Sequence, residues 1–445
     1  MGVVMRRVPA FLLVLSLFSV AAPAATIDGC PLFPADSIWN APVDSAPLHP
    51  DSSSIVATIG ATTQLHPDFG TTYNGAPNGI PYTSVPGTQA PVAITFQYAG
   101  ESDPGPYPIP QSAPIEGGPN GNGDRHILIV DRDRCLLYEI YAARPQADGT
   151  WRAGSGAKWD LRSNALRAAG WTSADAAGLP VLPGLVRYDE VATGEITHAL
   201  RFTVPQTRNS YVWPARHQAS SLTGAQYPPM GLRFRLKANV DISRFPAPMQ
   251  VILRALKKYG MVIADNGSAW YLSGAPDPRW SDDDLRTLSQ LTGNDFEAVD
   301  VSGLQVSANS ARALQAQATT PLPDPPADAD YDIDGNGRYD ALTDGLLIVR
   351  YLFGLRNAAL ISSAVGTGAT RTATEIEARL ASLGRALDVD GDGRANALTD
   401  GMLIIRKLFG LGGAKVIEGA IGTGASRTTA QAVTDYMNGF MPPRN

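Results

Sequence analysis

The stretch DIDGNGRYDALTDGLLIVRYLFGL begins at Asp332, and DVDGDGRANALTDGMLIIRKLFGL begins at Asp388, 56 residues later. Two copies in register are expected to fold alike. A unit of this size cannot bury an apolar face by itself, so the two copies are expected to pack on each other.

Counted from Asp332, acids or amides fall at positions 1, 3, 5 and 9: Asp332, Asp334, Asn336 and Asp340. Gly337 stands at position 6, where the chain must turn sharply. Arg338 at position 7 offers its backbone carbonyl. The second copy supplies Asp388, Asp390, Asp392 and Asn396, with Gly393 and Arg394 between them. This is the oxygen-ligand ladder of an EF-hand calcium loop, which converges six to eight hard oxygens on the ion. The closing acid, ordinarily at position 12, comes one residue later in both copies, as Asp344 and Asp400. Two Ca2+ sites are therefore expected in this region.

An apolar segment follows each closing acid, interrupted by Arg350 and Arg406, and a helix so apolar must be covered on more than one side. Gly354 and Gly410 stand where a left-handed cap would end it. Thr372 with Glu375, and Thr428 with Gln431, fit capping boxes that open a second helix. Each unit thus reads loop, helix, turn, helix.

On these residues, the Asp/Asn ladder with Gly337 or Gly393 and the closing Asp344 or Asp400, the region resembles the type I dockerins. The resemblance covers residues 331–445 and implies a small all-α domain folded around two calcium ions. It also implies attachment of a secreted glycoside hydrolase or related enzyme to a cohesin-bearing scaffold. Family members meet cohesin through polar residues late in the loop, where this chain has Ala341-Leu342 and Ala397-Leu398. A cohesin-like partner, another surface protein and a purely stabilising role all stay open.

At the other end, Arg6 and Arg7 precede an apolar run from Phe11 to Val20 and the small residues Ala22-Pro23-Ala24. This pattern predicts a secretory signal peptide over residues 1–25, cleaved near Ala24-Ala25, and an extracellular location. No later stretch is long enough to span a bilayer. Cleavage would remove two arginines and no acids, taking the formal charge from −6 to −8. That balance argues against nucleic acid as a partner. Two cysteines, Cys30 and Cys135, in an oxidising compartment are expected to form a disulfide.

Residues 26–301 read as a mainly β domain. RHILIVDRD, LLYEIYAA, EITHALRFTV, GLRFRLKANV, GMVIADNG and AWYLSG have strand character, and Gly/Pro-rich turns separate them. PMQVILRALKKYG and SDDDLRTLSQLTG read as helices. A β-sandwich or jelly roll with few helices is the expected architecture. Residues 302–330, rich in Ala, Pro and polar residues, read as a linker.

For chemistry in this domain the candidates are His126, His198, His217, Glu190 and Asp103. Histidine titrates near neutral pH, and glycosidic bonds are usually cleaved between one protonated and one ionised carboxyl. Glu101, Glu116, Glu139, Asp189 and Asp265 are further carboxylates. Alternation places His198 on the apolar face of its strand and Arg201 on the other. Arg233, Arg235 and Lys237 share one face of theirs, either solvated or a basic stripe for an acidic polysaccharide. No phosphate-cradling loop and no GxSxG elbow occurs. A polysaccharide-degrading, glycoside hydrolase-like activity is expected by association with the dockerin-like module. A lyase acting on acidic glycans and a non-catalytic carbohydrate-binding or adhesion protein are the alternatives.

Overall fold

Alternating apolar residues in the first 313 positions form ten principal strands, as seen in a computed structural model that describes residues 25–314, 322–422 and 425–443. The signal-peptide expectation falls on residues 1–25, of which only Ala25 is among the described residues. The chain divides into two units, residues 1–313 and 314–445. Sheets dominate the first, and most of the helices lie in the second. No helix of the described residues is long and apolar enough to cross a membrane.

In chain order the principal strands are β1 (His66–Asp68), β2 (Tyr82–Val85), β3 (Ile127–Asp131), β4 (Leu136–Tyr141) and β5 (Ser155–Asp160). They continue with β6 (Leu200–Val204), β7 (Arg233–Leu236), β8 (Met261–Asn266), β9 (Tyr271–Ser273) and β10 (Phe296–Val299). A six-stranded mixed sheet has the order β10-β7-β8-β6-β9-β1, and a four-stranded sheet has the order β5-β4-β3-β2. The first unit also carries helices α1 (Ser52–Ile59), α2 (Tyr188–Thr193), α3 (Ala247–Lys258) and α4 (Asp282–Arg286). Ser281 caps α4, accepting from the backbone N–H of Asp284, as an N-cap serine should. β6 runs parallel to β8, and the register slips between Phe202 and Thr203, leaving Ala264 unpaired in the ladder. The bulged Ala264 carbonyl accepts instead from Ala177 N–H at 2.9 Å.

Cys30 and Cys135 are disulfide-bonded across 105 residues. In the chain-entropy view, closing a loop of about a hundred residues contributes up to ~4.7 kcal/mol.

Two local expectations change. Residues 302–313 belong to the first unit instead of a linker: Trp213 Nε1 donates to Ser310 O at 2.8 Å and Arg216 Nη1 to Ala308 O at 2.7 Å. The Arg233–Arg235–Lys237 stripe is not an open basic face. Arg233 is buried, with its guanidinium on the carbonyls of Tyr259 and Ile38, and Arg235 pairs with Glu297 at 2.8 Å.

The second unit holds α5 (Leu346–Leu352), α6 (Asn357–Ile361), α7 (Ala373–Ser382), α8 (Asp400–Leu408), α9 (Ala414–Ile417) and α10 (Ala430–Asn438). Each repeat thus has one more short helix than the pattern predicts. Packing between repeats is reciprocal. A Cβ on Gly345 would meet Ile405 and Leu408, and one on Gly401 would meet the equivalent Val349 and Leu352. Leu347, Ile348, Leu403 and Ile404 are fully buried at the centre. The two arginines that interrupt the apolar helices satisfy carbonyls. Arg350 donates to Leu360 O and Ser362 O, and Arg406 donates to the equivalent Val416 O and Glu418 O. Gly354 and Gly410 have φ of +80° and +79°, the left-handed cap their positions predict. The Thr372–Glu375 capping box forms as expected. In the second repeat Thr429 caps α10 in place of Thr428, one residue later.

Candidate functional site

The two acidic loops are built by the same bonds. Asp332 accepts from Gly335 and Gly337 N–H at 2.9 and 3.0 Å, and Asp388 accepts from Gly391 and Gly393 N–H at 2.8 and 3.1 Å. Asp334 is held by Gly366 N–H at 2.6 Å, and Asp390 by Gly422 N–H at 2.7 Å. The closing acids reach back to the loop starts. Asp344 accepts from Ile333 and Asp340 N–H, and Asp400 from Val389 and Asn396 N–H. The late arrival of these acids has a local cause. Gly345 N–H bonds to Asp340 O and Gly401 N–H to Asn396 O, five residues back. Such a widened turn takes up one extra residue before the helix begins.

Carboxylate oxygens of Asp332, Asp334 and Asp344 lie within 4.8 Å of one another, as do those of Asp388, Asp390 and Asp392. Burial pushes the Asp344 carboxyl up to about 6 and the Asp400 carboxyl up to about 7. Asp388 and Asp392 are raised for the same reason. The donor set is all oxygen, anionic and convergent, which suits a hard divalent cation such as Ca2+. Gly366 and Gly422 close the cradles. A Cβ on Gly422 would stand 2.6 Å from Asp392 Oδ2 and 2.9 Å from Asp390 Oδ2. At the ninth loop position Asp340 and Asn396 are exposed, and the Asn396 side chain is engaged by Leu398 N–H. Arg338 and Arg394 at the seventh position are exposed, each donating its N–H back to the fifth residue.

A different cluster lies in the first unit, where the two principal sheets contribute to one place. Arg201 on β6 donates through Nε and Nη2 to Asp175 Oδ2 at 3.2 and 3.0 Å, and through Nη1 to Ser273 Oγ at 2.8 Å. Ser273 is paired in the sheet with Asp68, and Tyr271 with His66, whose ring it stacks on at 4.1 Å. Asp265 follows the bulge on β8, opposite Thr203. From the other sheet, His126 precedes β3. Its Nδ1 lies 2.6 Å from Glu116 Oε2 and its Nε2 lies 2.9 Å from Ala174 O. Asp124 O accepts from Ala142 N–H, beside Tyr141.

These charges act on one another. Burial alone would lower the His126 pKa, but Glu116 outweighs it and raises the value to about 9. With an acceptor at each ring nitrogen, both contacts favour the protonated ring of His126. Burial pushes Glu116 up, yet the charge of His126 and its hydrogen bond bring the net value below the ordinary carboxylate range. Asp175 and Asp265 are pushed up by burial against the pull of Arg201, and Asp68, exposed at the surface, is raised by the protein mass around its carboxyl against the pull of His66.

The other expected residues lie elsewhere. His198 is buried, its Nε2 3.1 Å from both carboxylate oxygens of Glu190, which also pairs with Arg187 at 3.0 Å. This triad is sealed in the core. Glu139 is likewise internal and anchors Val181 and Leu182 N–H and the Trp159 indole. Asp103 pairs with Arg167, beside a hollow of about 210 Å3 walled by Trp159, Trp171 and Lys158. His217 Nδ1 meets Ala176 O at 2.8 Å, and its Nε2 is 3.9 Å from Glu101. One loop, residues 173–178, therefore holds His126 through Ala174, Arg201 through Asp175 and His217 through Ala176.

Asp68, Asp175 and Arg201 were not among the expected site residues. Alternation put Arg201 on an outer strand face, but the loop bearing Asp175 covers that face. The HPDFG segment around Asp68 offered only a His and an Asp amid turn residues.

Compared with known protein families, curated proteins and solved structures, the chain matches none.

Proposed function

We propose that this is an exported protein acting on polysaccharide by glycoside hydrolysis, displayed through a dockerin-like module that binds two calcium ions. The calcium reading rests on the duplicated cradle of close, buried carboxylates. The ligands would be Asp332, Asp334, Asn336 and Asp344 in one loop, and Asp388, Asp390, Asp392 and Asp400 in the other, with the carbonyls of Arg338 and Arg394. The ion would supply the positive charge that packs the carboxylates together. Removing calcium with a chelator should lower helical circular dichroism, and adding it back should restore the signal. A spectrum indifferent to both would overturn the reading.

The enzyme reading is carried by the opposed ionisation of carboxyls in the first unit. Hydrolysis needs one carboxyl that keeps its proton for the leaving oxygen and another that is ionised to activate water or attack. Asp265, raised by burial and half-exposed, suits the donor, and Glu116, held ionised by His126, suits its partner. His126 holds Glu116 by a hydrogen bond, and Arg201, bonded to Asp175 and Ser273, acts on both carboxyls through its charge. A second reading, a lyase, is favoured by the stack of exposed His66 on half-buried Tyr271, beside Asp68. The test is a product screen over neutral, amino and acidic polysaccharides. New reducing ends without ultraviolet absorbance would support hydrolysis, and an absorbing unsaturated product would support the lyase. Retention on a polymer with no product would leave a carbohydrate-binding protein.

A further inference from the structure

Two like charges face each other on a short three-stranded sheet of the first unit. Its strands are Arg144–Pro145, Trp151–Ala153 and Ile94–Phe96, hydrogen-bonded in that order. Arg144 pairs with Arg152 across the antiparallel strands, and Arg152 with Thr95 across the parallel ones. Ile94, Trp151 and Ala153 are buried, whereas Thr95, Arg152 and Arg144 are exposed, so these three form a row on the outer face. Like charges directly opposite one another destabilise a sheet. Among the described residues neither guanidinium has an ion pair or a hydrogen bond to offset this. Asp148, on the turn between the two strands, is committed to the Thr150 N–H and hydroxyl at 3.0 and 2.7 Å. Those bonds, ahead of the charge of Arg152, hold its carboxyl below the ordinary range. Asp124 meets this corner through its carbonyl, which accepts from Ala142 N–H. The row also walls a hollow of about 500 Å3, lined by Thr95, Phe96, Gln97, Arg144 and Arg152, a volume within the range of ligand sites.

We infer that this hollow binds a sugar carboxylate, as carried by a uronate polysaccharide. The inference rests on the reading above for polysaccharide as the ligand class, and does not need hydrolysis. A guanidinium is a planar fork that matches a carboxylate with two parallel hydrogen bonds. Two forks at paired strand positions can share a uronate carboxylate, and its charge would relieve their repulsion. Thr95 and Gln97 carry hydroxyl and amide groups suited to ring hydroxyls, and Phe96 supplies an apolar wall. A neutral glycan would leave both charges unanswered, and an amino-sugar polymer would bring ammonium groups against guanidinium groups. The chain as a whole is acidic, with a formal charge of −6, so a long nucleic acid would gain little beyond this spot.

The experiment titrates the whole protein, with calcium present, with tri-galacturonate, its fully methyl-esterified form and tri-glutamate, and reads Kd by calorimetry. The ester keeps the sugar and loses the charge, and the peptide keeps the charge and loses the sugar. Tri-galacturonate should bind at least about tenfold tighter than either. Raising salt from about 0.05 to 0.5 M should weaken it several-fold, because exposed charges are screened over this range. Arg144→Gln and Arg152→Gln should each raise its Kd by about fivefold, and the double variant by at least about tenfold. None should lower the melting transition of the first unit, since each removes a repulsion. Unchanged affinity in the double variant would overturn the inference, and so would a lowered melting transition, which would make the pair structural. Equal binding of the ester would overturn it on charge. Equal binding of tri-glutamate would overturn it on sugar, leaving a mere anion exchanger. Binding as expected, with no product from any polysaccharide, would support the site and remove the hydrolase reading. Product from neutral polysaccharides, with no binding of tri-galacturonate, would overturn the site and keep that reading.

Discussion

Both units bury carboxylates, but they neutralise them differently. In the first unit Asp175 is fully internal and has a resident partner, Arg201, on the neighbouring strand. In the second unit Asp334, Asp344, Asp390 and Asp400 are equally internal. Among the described residues, their partners are backbone amides, a threonine hydroxyl for each of Asp344 and Asp400 and, for Asp334, the Asn336 amide. An ionised carboxylate out of water costs several kcal/mol unless a positive charge answers it. The first unit carries that charge in its sequence. The second has the geometry for a charge taken from solution, so its folding should depend on what the medium contains.

The largest test of this contrast is calcium removal. At calcium about a thousandfold above Kd, binding to the native state alone contributes about 4 kcal/mol per site. Chelation should therefore lower the melting transition of the C-terminal unit by at least about 15 °C in scanning calorimetry, with the N-terminal transition unmoved. Asp400→Ala should reproduce much of this shift in calcium. Coincident movement of both transitions would break the contrast.

Next in size is Arg201→Met, which leaves Asp175 buried without its counter-charge. A loss of about 3–5 kcal/mol is expected from denaturant unfolding of the N-terminal unit. Adding Asp175→Asn should return a large part of it. Non-recovery in the double variant would mean that Arg201 acts through packing alone.

The His126–Glu116 pair gives a smaller, pH-dependent effect. His126 has its folded pKa raised to about 9, so its contribution is complete below its ordinary value of about 6.5 and is lost as pH rises through about 9. Glu116 is lowered, so its share is present above about 4.5 and is lost as pH falls through the depressed folded value. Stability of the first unit should therefore be greatest between those limits and decline toward alkaline pH. Glu116→Gln should flatten the alkaline decline. An unchanged slope in that variant would remove the pair as its cause.

The smallest effect separates the two loops. Position 5 is Asn336 in one and Asp392 in the other, so the second loop converges one more charge. Asn336→Asp should tighten the first site by several-fold in calcium titration, since loop charge tunes affinity. Asp392→Asn should weaken the second by a similar factor.

The acidic loops were legible in the sequence because their ligands are local. Spacing, sharp-turn glycines and the displaced acid all lie within thirteen residues, and the shared displacement proved to be one widened turn. Strand positions were legible for the same reason, since apolar runs such as ILIVD and MVIADN have a local signature. The cluster of the first unit was not. Asp68 and Asp265 share a sheet because β1, β9, β6 and β8 pair in an order that no local pattern encodes, and Glu116 and Asp175 arrive on segments outside these strands, paired with His126 and Arg201. His198 sat among apolar residues as a core histidine does, and its partner Glu190 lies on the short helix α2, eight residues away, with no local pattern that joins them.

The reciprocal seat of Gly345 against Ile405 and Leu408, and of Gly401 against Val349 and Leu352, has the form of the self-complementary contact of a two-fold homodimer, closed within one chain. A single repeat with such a surface would pair with its own copy only as fast as concentration allowed. Joining two copies end to end replaces that dependence with an effective concentration in the millimolar range. Within one chain the halves need not be identical. Counted from the two caps, Leu380 and Met437 take the same buried place, but Arg379 of the first repeat stands where the second has Tyr436, whose hydroxyl donates to Arg385 O and whose ring lies under Arg427 at 3.8 Å.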